Sequence, residues 1–148
     1  MPLNRSIAPI AAAFLGLLSV RAACACDLQV ESGWIRAAPP GASTLAAYAM
    51  LKNTGVNAVA IATITTDAAE MAMLHETTVT NGISEMRMLP SLRIAGGATL
   101  TLAPGGKHLM LTGLKGLPKV GEHVKIAFTD ESGCVTQGDF GVRSMMSD

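Results

Sequence analysis

Clusters of Gly, Pro, Asn and Ser punctuate this chain at short intervals: Pro39-Pro40-Gly41, Asn53-Thr54-Gly55, Asn81-Gly82, Gly96-Gly97, Pro104-Gly105-Gly106 and Ser132-Gly133. Between them apolar and polar residues alternate in runs too short to sustain a period of 3.6. Turns so placed interrupt helices before they gain enough length, whereas a strand needs only a handful of residues between turns. The pattern predicts a chain that is nearly all β.

The expected strands are Leu28 to Arg36, Ala46 to Lys52, Val59 to Thr65, Met71 to Thr80, Ile83 to Leu89, Ala98 to Leu102, His108 to Thr112 and His123 to Thr129, with a short last strand within Val135 to Val142. Short connections between consecutive antiparallel strands favour a Greek-key β-sandwich or barrel. Aromatic side chains are few, Trp34, Tyr48 and three Phe, so the core must come mainly from Ala, Val, Leu, Ile and Met.

The beginning of the chain has a different character. Met1 to Arg5 carries one positive charge, Ser6 to Val20 is uncharged and apolar, and Ala22, Ala23 and Ala25 follow as small residues. This reads as a secretory signal peptide over residues 1–25, cleaved at a point between 22 and 25, with one β domain over 26–148. The apolar run is shorter than the ~20 residues a transmembrane helix needs. A lipid-modified Cys24 is the alternative, although Arg21-Ala22-Ala23 lacks the apolar residue such sites carry three positions upstream. Removing Arg5 and Arg21 with the leader leaves nine basic against eleven acidic side chains, a formal charge of −2. With no Lys/Arg cluster, nucleic acid is excluded as a natural partner.

Enzyme signatures are missing: there is no Gly-x-Ser-x-Gly, no Gly-Lys-Ser/Thr phosphate loop and no His-Glu-x-x-His. Chemistry-bearing residues gather instead between Met71 and Met110, which holds two of the three histidines and five of the nine methionines. Asn81-Gly82 is a strong two-residue hairpin signal, and it pairs Thr80 with Ile83, Thr77 with Met86 and His75 with Met88. Alternation then puts Met71, Met73, His75, Met86 and Met88 on one face, with Leu74 and Leu89 on the other. Past the Pro104-Gly105-Gly106 turn, His108 and Met110 share a face opposite Leu109 and Leu111.

If the two segments fold side by side, two imidazoles and two or three thioethers converge. Such a soft, uncharged set selects Cu(I), whereas zinc recruits thiolate or carboxylate, and Ca²⁺ and Mg²⁺ want oxygen. Thioethers also suit an oxidising compartment, where exposed thiolates would form disulfides. Against this stands the ordinary use of methionine as core filler, the reading adopted for Met50, Met71 and Met73. His123, beside Glu122, reads as a surface or hydrogen-bonded histidine, and Met145 and Met146 lie in a tail capable of transient metal capture.

His75, ten residues, Met86, twenty-one residues, then His108-Leu109-Met110: this arrangement resembles the signature of the PCu(A)C family of periplasmic copper chaperones. The surroundings Leu74-His75-Glu76, Gly82 and Pro104 to Leu111 are similar as well, and the resemblance spans about Leu28 to Val142. It implies a cupredoxin-like fold, Cu(I) as cargo, and His75, Met86, His108 and Met110 as ligands in a non-enzymatic, monomeric periplasmic protein. It further implies delivery of copper for the CuA centre of cytochrome c oxidase, to its CuA-bearing subunit or an intermediate copper chaperone. The hairpin register leaves Met88, directly opposite His75, as a competitor of Met86 or a member of the surrounding shell.

A blue-copper electron carrier would need a His soon after a Cys ligand, and Val135 to Phe140 after Cys134 contains none. Cys134 and Cys26 are instead candidates for a disulfide, if cleavage spares Cys26. Two further readings stay open at this point: a copper buffer or resistance protein without a dedicated acceptor, and a metal-free exported interaction domain.

Overall fold

The computed structural model describes residues 25–144; the leader, Cys24, Met145 and Met146 lie outside them. Ten strands follow one another: β1 (Leu28–Arg36), β2 (Thr44–Asn53), β3 (Val59–Thr66), β4 (Ala69–Thr80), β5 (Ile83–Met88), β6 (Leu92–Ile94), β7 (Thr99–Leu102), β8 (Lys107–Leu114), β9 (His123–Asp130) and β10 (Val135–Arg143). All nine expected strands are present. The additional β6 is only three residues long, too short to show an alternation of its own.

The strands run β5-β4-β8-β2-β1-β10-β9-β3-β6, with β7 paired to the second half of β2. All ladders are antiparallel except that of β1 with β10. The result is a mixed, cupredoxin-like sandwich. It is not a closed barrel: β5 and β6 stand at the two ends of the order. The sheet doubles back so that β3 comes against β4 with no ladder between them.

The sandwich is filled by Ile35, Leu51, Leu109, Leu111, Ile126, Phe128 and Phe140, all fully buried. Their alternation with outward residues is what the period of two demands. Cys26 and Cys134, with Cα atoms 5.8 Å apart, form the expected disulfide and tie the chain before β1 to the start of β10. The closed loop spans 108 residues, for which loop-closure entropy gives a stabilisation of about 4–5 kcal/mol.

One irregularity decides which side chains reach the outer face. Glu31 pairs with Met50, but three residues later Trp34, not Gly33, pairs with Tyr48. The extra residue is absorbed at Ser32, whose φ of 53° is left-handed. A bulge of this kind swaps the faces of everything beyond it. Ile35 therefore enters the core and Trp34 turns outward beside Tyr48.

Candidate metal centre

The candidate site is assembled on the outer face of β8, β4 and β5. Asn81 and Gly82 both have positive φ, 53° and 78°, as a type I′ turn requires, and this turn fixes the hairpin register. Thr80 pairs with Ile83, Thr77 with Met86 and His75 with Met88, as read from the sequence. On the other side of β4, Met73 pairs with Met110, His75 with His108 and Glu76 with Lys107. His75 thus has His108 directly on one side and Met88 directly on the other, with Met110 and Met86 on opposite diagonals.

Directly opposed side chains have Cβ atoms about 4.5–5.5 Å apart and diagonal ones about 7–8 Å, within reach of thioethers on unbranched stems. The His75 and His108 rings lie 6.0 Å apart between centroids, inclined by 21°. His108 is 5% exposed and His75 half-buried, while Met86 and Met88 stand out on the edge strand at 54% and 55%. The face therefore grades from a buried imidazole to open thioethers.

Local structure fixes the orientation of His108. Ala103 to Gly106 form a turn closed by Gly106 N donating to Ala103 O, with Pro104 second and Gly105 third. Gly105 has a φ of 77°, which the third position of a type II turn requires and a side chain would resist. The turn aims the Gly106 carbonyl at His108, whose Nδ1 lies 3.0 Å away. A carbonyl oxygen only accepts, so Nδ1 carries the proton in this bond and Nε2 is left with a lone pair for a metal.

His75 supplies a second sign. Its Nδ1 is buried and has no hydrogen-bond partner among the described residues. A buried polar atom without a partner is costly in a folded protein, and an imidazole nitrogen in that position is suited to a metal. Among the described residues no three His, Cys, Asp or Glu gather as a metal-holding group. Further side-chain donors beside His75 and His108 are therefore thioethers, a combination that fits Cu(I) and poorly fits zinc or calcium.

The opposite face of the same strands holds an ionic clamp. Glu76 accepts from Lys107 Nζ at 2.7 Å and from Arg87 Nη2 at 2.9 Å, linking β8, β4 and β5 one residue from His75. The Lys107 hydrogen bond, then that of Arg87, holds the Glu76 carboxyl below its ordinary range. The clamp spans the same three strands that bring His75, His108 and Met88 into one row.

Sequence reasoning missed the aromatic wall behind His108. Tyr48, 5% exposed, has its ring centroid 6.4 Å from that of His108, and Trp34 lies 4.5 Å beyond. Arg36 stands over Tyr48 at 6.0 Å and Arg143 over Trp34 at 5.8 Å, so the outer end of the row is cationic. The signal was Ser32-Gly33, whose bulge turns Trp34 outward. Met71 is a correction: expected in the core, it is 54% exposed on this face, and Met73 and Met50 are only partly buried. His123 does lie on the surface, its Nδ1 3.0 Å from Asp139 Oδ2 and not from neighbouring Glu122.

Comparison with known proteins places the chain. The family model described as "LpqE-like: Putative lipoprotein LpqE-like" matches residues 28–140. The chain belongs to the LpqE-like family. Among curated relatives, "Putative lipoprotein Lxx21020" of Leifsonia xyli subsp. xyli (strain CTCB07) is 40% identical over 108 residues, covering 71% of this chain; the match spans 64% of that relative's length. Of solved structures, apo-DR1885 from Deinococcus radiodurans is 32% identical with a TM-score of 0.62, over 99% of this chain and 95% of that one. The CuI-DR1885 structure is 33% identical at the same TM-score, over 80% of each chain. A copper-bound PCuAC domain from PmoF2, 17% identical, covers 80% of this chain and 93% of its own with a TM-score of 0.67. This LpqE-like chain therefore has a PCuAC-like fold, the one the sequence signature implied.

Proposed function

We propose that the chain is an exported Cu(I)-binding chaperone domain that holds copper through His75, Met86, His108 and Met110. The single observation that carries this reading is the row in which His108 and His75 stand side by side, with Met110 and Met86 on the diagonals of His75. The copper-bound structures of two relatives support the choice of metal.

Binding is coordination, not catalysis. His108 offers Nε2 because Gly106 O holds its other nitrogen, and His75 offers an imidazole with a buried, unpartnered nitrogen. Met86 and Met110 add neutral sulfur. Cu(I) is held by uncharged donors, so affinity rests on softness and placement, and a partner displaces these donors one at a time without releasing a free ion. The Cys26–Cys134 disulfide supports an oxidising compartment. A signal peptide ending between residues 22 and 25 directs export and is removed, leaving residues 26–148 as the copper-binding domain in the periplasm. The word lipoprotein in the names of the family and of the Leifsonia relative supports the alternative of lipid attachment at Cys24; intact mass of the exported protein separates the two.

Two destinations share this site: handover to the CuA-bearing subunit of cytochrome c oxidase, direct or through an intermediate chaperone, and copper buffering without a dedicated acceptor. The relatives' copper-bound structures favour only what the two have in common, and buffering requires nothing further. Mixing the Cu(I)-loaded domain with an apo CuA domain tests this. Transfer faster than spontaneous release to a chelator establishes handover, and transfer no faster than that release establishes buffering.

A further inference from the structure

Met88 lies outside the His75, Met86, His108, Met110 signature, yet it is the thioether placed directly across from His75. Met86 is two pairs further along, opposite Thr77. Met88 and Met86 point to the same face of β5, whose six residues are all exposed and which is an edge strand with β4 as its only partner among the described residues. His108, on the far side of His75, is 5% exposed, and Met110 beside it is partly buried. The donors thus divide into a covered pair on β8 and an open pair on β5, with His75 between them.

We propose that Met88 is an exchange ligand, a donor that Cu(I) engages while it enters or leaves the site; this rests on the copper-binding reading given above. Copper moving toward β5 forms a bond to the Met88 sulfur as its bond to Met110 or His108 breaks. His75 and Met86 remain attached. Copper stays Cu(I), no proton moves because the thioether is neutral, and the coordination number is kept through the step. A partner approaching the open edge of β5 then meets copper on ligands it can replace, not on the buried imidazole.

An exchange ligand has a kinetic signature of its own. A group that binds only in the passing state lowers the barrier in both directions and leaves the equilibrium unchanged. Met88→Leu keeps length and apolarity and removes the sulfur from an exposed position, so the fold is unaffected. The test combines two measurements on the full mature chain under anaerobic conditions. Methionine methyl groups labelled with ¹³C are followed by NMR during Cu(I) titration, and stopped-flow exchange with a coloured Cu(I) chelator gives loading and release rates.

The expected result is that the Met86 and Met110 methyl signals shift with the first equivalent, as resident ligands do, and that Met88→Leu slows loading and release together by about fivefold or more, with affinity unchanged. Rates unaltered by Met88→Leu overturn the exchange role and leave the copper site standing. Faster release with weakened affinity makes Met88 a resident ligand and also overturns it. If neither Met86 nor Met110 responds, the copper-binding reading falls and the exchange role falls with it.

Discussion

Strands β4 and β8 present two faces built from the same residues in alternation, and the two could hardly differ more. Inward, Leu74, Leu109 and Leu111 are 4%, 0% and 0% exposed; outward, Met73, His75, His108 and Met110 carry nitrogen and sulfur. The inward set is held by shape and by exclusion of water, and the outward set is held by register. One strand pair can therefore tune its metal donors without disturbing its core, provided the ladder does not slip. The lesson is that in this fold binding and stability are separated by a single residue along the chain.

The strongest test of that separation is a pair of neighbours. Leu109→Ala empties a fully buried position and should lower stability by about 2–5 kcal/mol, read as a shift in the denaturant midpoint. His75→Ala, by contrast, should leave the apo midpoint within about 1 kcal/mol while abolishing tight Cu(I) retention in a chelator competition. A large loss of stability in the second variant would erase the distinction between the faces.

Reduction of Cys26–Cys134 comes next. It acts at the starts of β1 and β10, strands that carry none of the copper donors, and chain entropy gives a loss of about 4–5 kcal/mol as an upper figure, with about 2–5 typical of small secreted domains. Copper affinity at a temperature where the reduced domain stays folded should be unchanged.

Acid probes the clamp behind the site. The Glu76 carboxyl is held below its ordinary value of 4.5, chiefly by Lys107 and then by Arg87. A group whose folded value is depressed contributes stability above its unfolded value and loses it as pH falls through the folded one. The clamp should therefore be intact at neutral pH and weaken below pH 4.5. Glu76→Gln should flatten that part of a stability-versus-pH curve, and a curve unchanged by the substitution would remove the clamp from the account. The smallest effect expected is that of Met86→Leu or Met110→Leu on the fold, since neither thioether is buried in the core: a change within about 0.5 kcal/mol, with Cu(I) retention weakened in both.

How much of this was legible in the sequence follows the range of the forces involved. The β4–β5 register was readable in full because Asn81-Gly82 is a local device: a two-residue loop leaves no freedom of alignment. The proximity of His108 to His75 was conditional until the fold was known, because β8 reaches β4 across more than twenty residues and no local signal dictates that pairing. The aromatic wall was missed for a related reason: period-two reading assumes an unbroken strand, and the bulge at Ser32 reverses the faces from Trp34 onward. Met71 was assigned to the core on the general habits of methionine, whereas its position beyond the β5 ladder leaves it exposed. The Cys26–Cys134 disulfide needed only that the first and last strands lie together, which the parallel β1–β10 ladder provides.

The central claim is that four neutral side chains on the outer face hold one Cu(I). The most direct measurement is anaerobic competition for Cu(I) between the mature domain and a coloured chelator, run beside single variants of His75, Met86, His108 and Met110. The account predicts one tightly held copper per chain, weakened in every variant while each still unfolds cooperatively. No competition by the parent domain, or full retention in all four variants, would contradict it.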